Sequence, residues 1–522
     1  MDNKQQSPGV RIRISARRGN GDAERCFGVF KAWAALHPGA DVLRTGPLGY
    51  EDLEPLVLIE KPEAPEIWYA RVTEDKAAAL AAGWLGGDDP MPELALGVSG
   101  DDAFRDIPTL NSLPLFRLQE RVALRNCGLY DPESVVSYLT VSGGLEGLKS
   151  ALRMTATVVL EHIGRIGARE KDWKAFGDRS DGTKVLVITA FNNDAEARMA
   201  RLLLESDPFG VLEGLLIAAY AVGASRAILA IPAGTGEIRS VLDSALTQLR
   251  EQLEANGAVL EAGFNCGIEL REIPISLVIN DKTALLRCLE GLQAIPALPG
   301  NDGDMFGGAP ALVTAIEALA ALPPILQRDN GGAAAAGTKI LTLSGELPHP
   351  YTVEVPLGTT IGALVFDIGG ASDVKAVQLG GPTGVWLGPD AFNKPVSRGA
   401  ATEAGADFGI SLLNIASSSA DAVELAEKQL RFLRGESCGK CVFCREGTLH
   451  LHELLVGFLR GTCLGHDLKL MEEVGLKMRS NCLCALGTAA ADSVLSIIKL
   501  FRPEFEAQLG RNAGDLPRTQ AL

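Results

Sequence analysis

Residues 438–444 read Cys-Gly-Lys-Cys-Val-Phe-Cys, and no other stretch of the chain restricts its folding as tightly. Three thiols, with two residues between each and the next, share one short loop, and such a loop can wrap three corners of a metal–sulfur cube. The fourth corner needs a soft ligand from elsewhere. Cys484 follows after a stretch long enough for one helix to run out and another to return, with Cys482 as the competing choice. The surrounding pattern is helical from Asp421 to about Leu509, with a Gly-Glu-Ser-Cys loop in its middle.

A four-thiolate structural zinc site is the rival chemistry, because zinc also accepts four cysteines. Zinc sites commonly present two separate C-x-x-C pairs rather than three thiols in one loop, so the spacing favours an iron–sulfur cluster. Cys463 has no spacing partner and reads as structural. His450 and His452 are two apart and do not share a helix face, which argues against a second metal site there. Lys440 and Arg445 fall inside the loop, where positive charge near sulfur raises a cluster's potential; a solvated surface pair is the alternative reading.

Ten cysteines are present, and the crowding of Cys438, Cys441, Cys444, Cys482 and Cys484 into under fifty residues is a poor pattern for a disulfide framework. Cys26, Cys127, Cys266 and Cys288 are isolated and read as small buried hydrophobes. The opening residues lack the apolar run of a secretory signal, and the longest apolar stretch, 214–225, falls short of the roughly 20 residues of a membrane span. The expectation is a chain of the reducing cytoplasm with no membrane span. A formal charge of −16, from 65 acidic and 49 basic side chains, opposes any general attraction to nucleic acid or anionic lipid.

At 522 residues the chain exceeds one ordinary core, and its texture changes along its length. Strand-like alternation at Val10, Ile12 and Ile14, a helix-like segment over 22–36, short strands at 56–59 and 67–69 and a closing helix over 74–82 suit a small α/β sandwich of thioredoxin type. A Gly, Asp and Pro turn over 86–92 marks its end, giving a first domain over 1–92. Over 93–328 helical patterns alternate with apolar runs such as 185–188 and 228–231, as in an α/β domain with a mostly parallel sheet. Asp329-Asn330-Gly331-Gly332 and an alanine run to Ala336 suit a linker. Residues 338–415 turn to strands separated by Pro and Gly turns with a short helix near 361–368, and 421–511 form a helical domain.

Gly435-Glu436-Ser437-Cys438-Gly439-Lys440-Cys441, then Cys444-Arg445-Glu446-Gly447, resembles the cluster loop of the NADH-binding flavoprotein subunits of respiratory complex I. The relatives of that family in NAD-dependent formate dehydrogenases and NAD-reducing hydrogenases share it. Cys484-Ala485-Leu486-Gly487 resembles the fourth-ligand motif, followed by Phe501-Arg502-Pro503-Glu504. Residues 338–370 and 375–384 are similar to the family's soluble-ligand-binding β-grasp domain, and 203–208 through 218–221 resemble its Rossmann-like flavin domain. Arg125-Asn126-Cys127-Gly128 and Asp131-Pro132-Glu133-Ser134 also match. The resemblance therefore implies a multidomain α/β chain: a degenerate thioredoxin-like N-terminal domain, a Rossmann-like α/β flavoprotein-type domain, a β-grasp domain and a C-terminal helical bundle. That bundle would hold one [4Fe-4S] cluster through Cys438, Cys441, Cys444 and Cys484.

The same resemblance exposes departures. The first domain looks like the thioredoxin-type [2Fe-2S] domain of some members, yet the region of Thr45, Gly46 and Pro47 has no cysteines and only Cys26 remains, so no cluster is expected there. A familial glycine-rich loop lets backbone approach the FMN phosphate, but residues 163–173 have lost most of its glycines and gained Glu170 and Asp172. The familial N-A-D-E-G-E-P-G falls on 189–196, placing Thr189, Phe191, Asn192 and Asp194 at flavin and nicotinamide positions, with one carboxylate kept as Asp194. Asp281 and Lys282 stand for a pair of glutamates, and Thr314 and Ala315 for a pair of asparagines. A site that discriminates by buried hydrogen bonds loses its ligand when those groups go, each worth about 0.5–1.5 kcal/mol.

These replacements lead to an expectation of neither FMN nor NADH in the familial manner. The chain reads as a non-catalytic electron-transfer subunit that relays single electrons within a larger soluble oxidoreductase. Its partners would be other subunits of that complex, a molybdenum, tungsten or hydrogenase catalytic subunit and further iron–sulfur subunits among them. Two alternatives remain: a diaphorase-type subunit exchanging electrons between NAD(H), FMN and the cluster through a remodelled pocket, and a zinc-stapled scaffold.

Overall fold

The structure is a computed structural model and describes residues 9–165, 170–180, 182–191, 198–256, 263–298, 305–328, 337–405 and 411–515. The alternation of Val10, Ile12 and Ile14 becomes strand β1 (Val10–Ser15), which pairs in parallel with β2 (Ala40–Thr45) and antiparallel with β3 (Leu56–Glu60). The helix Gly21–Ala34 makes the β1–β2 crossover and is capped by Asn20, whose side chain accepts the N–H groups of Asp22 and Ala23. Strands β4 (Ile67–Tyr69) and β5 (Ala95–Val98) complete the order β2-β1-β3-β4-β5. The first sheet thus reaches past residue 92, where the sequence places the end of the first domain. The Gly- and Pro-rich turn sends the chain back to pair with β4 instead of leaving the sheet.

The second sheet has the order β8-β7-β6-β10-β9, from β6 (Val185–Thr189), β7 (Arg226–Pro232), β8 (Gly267–Ile273), β9 (Met305–Phe306) and β10 (Ala309–Ala315). β6, β7, β8 and β10 run parallel and β9 antiparallel. Strands buried on both faces must be continuously apolar, and Leu186, Val187, Ile188, Ile228 and Leu229 are fully buried. The helix Pro208–Val222 lies beneath, apolar all round and buried along almost its whole length. Asp207 caps it by accepting the Gly210 N–H at 3.1 Å, and Gly223 ends it at φ +69°. At Gly214 it meets the helix Ile316–Arg328 so closely that a Cβ would stand 2.0 Å from the Leu319 carbonyl oxygen.

That buried layer holds acids whose partners are fixed. Glu213 accepts the Tyr138 hydroxyl and the backbone N–H groups of Leu145 and Leu148, the latter two at 2.9 and 2.8 Å. Asp207 also accepts Tyr130 and Asn126, at 2.9 and 3.0 Å. Burial would be prohibitive for either carboxylate without these donors.

The third sheet, β12-β11-β15-β13-β14, comprises β11 (Thr338–Gly345), β12 (Thr352–Pro356), β13 (Ala376–Leu379), β14 (Val385–Leu387) and β15 (Leu412–Ala416). Its neighbours grip it through backbone. Glu354 on β12 accepts the N–H groups of Val122, Ala123 and Leu124 at 2.9, 3.0 and 2.9 Å, and the Thr338 hydroxyl. From the first sheet's side, the Gly49 carbonyl accepts the Thr352 N–H at 2.8 Å, Asp52 meets His349 at 3.0 Å and Tyr50 packs edge-on against Tyr351.

The C-terminal part is helical: Ala422–Gly435, Val442–Arg460, Asp467–Asn481, Ala485–Leu500 and Arg502–Asp515 surround a core including Leu430, Leu451, Leu455, Phe458, Met471, Val494 and Phe505. Among the described residues no helix is long and apolar enough to cross a membrane.

Candidate cluster site

Asp421 caps the helix Ala422–Gly435 through the Val423 and Glu424 N–H groups, at 2.8 and 3.0 Å. The chain then turns through Gly439, at φ +73°, and enters the next helix at Cys441. Cys441 is the N-cap residue and Cys444 lies in the first turn, where the Thr448 hydroxyl donates to its carbonyl at 2.8 Å. Arg445 draws the loop back by donating to the Gly439 carbonyl at 2.9 Å, and the Gly439 N–H donates to Ser437 Oγ at 3.3 Å. The loop is thus built from its own backbone before any ligand is considered.

The second segment is the hinge between Asp467–Asn481 and Ala485–Leu500. Cys482 ends the first helix with its N–H on the Met478 carbonyl at 3.0 Å, and Cys484 is the N-cap of the second. Cys482 and Cys484 both have extended backbone, at φ −70°, ψ 145° and φ −133°, ψ 169°. The chain bends at Leu483 and Cys484, and both hinge thiols border the 438–444 loop. The N-terminal ends of two helices, at Val442 and Ala485, point into this space, and their partial positive charge favours thiolates.

The thiols are neighbours. Cys444 is pushed down to about 6, first because Cys482 donates to it and then through Ser437, whose Oγ lies 3.3 Å from its Sγ, and Cys441. Cys482 is correspondingly raised, chiefly by Cys444. Burial raises Cys484, against the lowering effect of the Gly487 and Leu486 N–H groups, and it senses the charge of both Cys444 and Cys438. Among the described residues no three His, Cys, Asp or Glu side chains converge as the ligands of one metal ion do. The donor set, thiols facing helix N-termini, fits an iron–sulfur cluster. Cys463 lies apart in the helical core, 4% exposed. His452 pairs with Glu427 at 3.0 Å and His450 faces Glu453 at 3.7 Å.

The structure also places the positions at which the sequence expects an altered flavin site. Thr189 and Ala315 are register partners at the C-terminal ends of β6 and β10, and the Thr189 hydroxyl donates to the Thr314 carbonyl at 3.4 Å. Phe191, just beyond β6, is 5% exposed. Asp281 caps the helix Lys282–Leu289, accepting the N–H groups of Thr283 and Ala284 at 2.9 and 3.1 Å, and Lys282 is exposed. Asn192, Asp194 and residues 166–169, where the sequence expects an altered phosphate loop, lie outside the described residues, as does the linker expected over 329–336. At the first sheet, Cys26 is buried with its thiol on the Val72 carbonyl, and the Pro47 carbonyl accepts the Ser206 hydroxyl at 2.7 Å.

Sequence reading overlooked the buried acids Glu213, Asp207 and Glu354. Glu213 was detectable, as one acid embedded in the apolar stretch of the helix Pro208–Val222. Nothing local marks Glu354, whose three backbone donors lie about 230 residues away.

Residues 424–508 match the NADH-ubiquinone oxidoreductase-F iron-sulfur binding region, and residues 163–323 match the Nuo51 FMN-binding domain. The chain is 30% identical over 415 residues to the NADP-reducing hydrogenase subunit HndC of Solidesulfovibrio fructosivorans, covering 75% of this chain and 84% of that one. It is 28% identical over 412 residues to an NADH-quinone oxidoreductase subunit of Rhizobium meliloti (strain 1021), covering 75% and 98%. In fold it is similar to a chain of the NAD+-reducing [NiFe]-hydrogenase solved in the H2-reduced state, with a TM-score of 0.62 at 22% identity, covering 97% of this chain and 86% of that one.

Proposed function

The chain belongs to the family of NADH-binding flavoprotein subunits of larger redox complexes, with a 4Fe-4S region, and from that premise we propose that it is a relay subunit whose cluster passes single electrons between partners. Cys438, Cys441, Cys444 and Cys484 are its ligands. The observation that carries this reading is the meeting of the 438–444 loop and the 482–484 hinge between two helix N-termini. When bound, the cluster supplies one-electron redox chemistry. The residues of this chain hold its position, exclude water on the Cys444 side and place N–H donors on the sulfur of Cys484.

In this reading the α/β domain serves as scaffold, without FMN or NADH. Thr189 donates into the sheet rather than outward, Phe191 fills space with an apolar ring, and the Asp281 carboxylate is engaged in capping. Those groups do not fit a flavin recognised by polar side chains. Outside the cluster, Val442 and Phe443 are 57% and 44% exposed beside the cysteines, which suits burial against another subunit.

A second reading, that a flavin is kept in a remodelled pocket, is favoured by the match of residues 163–323 to an FMN-binding domain. Anaerobic purification followed by iron, sulfide, zinc and flavin analysis decides between them. About four iron and four sulfide per chain without flavin supports the relay. Stoichiometric FMN supports the second reading, and zinc without sulfide overturns both.

A further inference from the structure

Five thiols, not four, face the cluster space. Cys482 is in side-chain contact with Cys444 and Cys441, while Cys484 senses Cys444 and Cys438, so both hinge cysteines border the loop. Only three residues, Cys482, Leu483 and Cys484, span the gap between the two helices, and the chain bends there. Gly487 supplies the room. A Cβ there would stand 2.6 Å from Cys482 Sγ, 2.8 Å from Cys482 Cβ and 3.2 Å from Cys444 Cβ, so Cys482 occupies space that any side chain at 487 would take.

We propose that Cys482 and Cys484 are interchangeable fourth ligands of the cluster, so that one hinge thiol binds iron while the other stands beside it. This rests on the relay reading, since it presumes the cluster. In the exchange the Cys482 thiol loses its proton as its sulfur bonds iron, the bond from Cys484 to iron breaks, and the Cys484 sulfur takes up a proton. No electron changes hands. A three-residue hinge allows the swap because the two sulfurs need only a local shift of backbone between helices that stay in place.

The test uses the full chain purified anaerobically as wild type, Cys482→Ala, Cys484→Ala and the double variant, with iron and sulfide content and the electron paramagnetic resonance spectrum after dithionite reduction. We expect Cys484→Ala to keep at least about half of the wild-type iron with shifted g values, Cys482→Ala to keep nearly all, and the double variant to fall about tenfold below wild type. Cys484→Ala as poor in iron as the double variant overturns the proposal. So does Cys484→Ala with full iron and an unchanged spectrum, which would make Cys482 the permanent ligand. If the variants aggregate, the wild-type holoprotein answers alone: iodoacetamide followed by peptide mass spectrometry should label both Cys482 and Cys484 in part while Cys438, Cys441 and Cys444 stay protected. Label confined to one hinge cysteine overturns exchange, whereas wild-type protein with no iron or sulfide overturns the relay reading itself.

Discussion

The carboxylate of Glu436, just past the helix Ala422–Gly435, accepts the backbone N–H of Leu277 at 2.6 Å across 159 residues of sequence. Lys440 makes a parallel tie by donating to the Pro296 carbonyl at 3.1 Å. The cluster loop is therefore fastened at both ends of its first half to the domain of the second sheet. Glu436→Ala should destabilise the helical domain by about 1 kcal/mol, read as a lower urea midpoint, because a charged acceptor is lost from a half-buried N–H. Glu436→Gln, which keeps an oxygen acceptor, should restore most of it. Equal midpoints for all three proteins would show that this contact carries no stability.

Glu354 makes a stronger claim on the architecture. Three successive N–H groups and a hydroxyl converge on one buried carboxylate; burial raises its pKa, and those donors work against the rise. Glu354→Ala should cost roughly 3 kcal/mol or more by stranding the three donors, measured as a fall in melting temperature of the whole chain. Loss below about 1 kcal/mol would mean that water replaces the carboxylate.

Stability should fall as pH rises through neutrality. Burial pushes Asp207 and Glu54 up to about 7 from ordinary values of 3.8 and 4.5, so between those limits the folded chain binds more protons than the unfolded chain. This contribution is complete below about pH 4 and is lost as pH climbs through about 7. Melting temperature measured from about pH 5 to about pH 8 should decline, and Glu54→Gln should flatten the decline while keeping an oxygen for the Arg17 N–H now received at 2.9 Å. An identical slope in that variant would exclude Glu54 as a source.

Gly487→Ala should disturb the cluster while leaving distant sheets intact, since its Cβ meets Cys482 within 2.6 Å. Overpacking of this kind costs about 1–3 kcal/mol, and the reading is iron content beside circular dichroism. Cys463→Ala is the control: its buried thiol is remote from the loop, so iron should be unchanged and only stability reduced.

What the sequence discloses follows from range. Asp421 before an amphipathic run and Asp207-Pro208 before an apolar one announce helix starts through contacts a few residues long. The runs 185–188 and 228–231 announce buried parallel strands by composition alone. The C-x-x-C-x-x-C loop is equally local. By contrast, β5 depends on where a turn redirects the chain, and the donors to Glu354 come from a distant segment, so neither leaves a nearby mark. At the site, spacing singles out three thiols, but that Cys482 shares their space emerges only from the way two helices meet at the hinge.

The seam between the first and third sheets has a consequence for synthesis. Asp52 and His349 are 297 residues apart, and Tyr50 and Leu53 belong to the same apolar core as Val353 and Ile361. At about 5–20 residues per second, a ribosome reaches the second half of that core roughly 15–60 s after the first half has emerged. For that interval the nascent N-terminal sheet carries an uncovered apolar flank, which is the form of the protein a chaperone would meet.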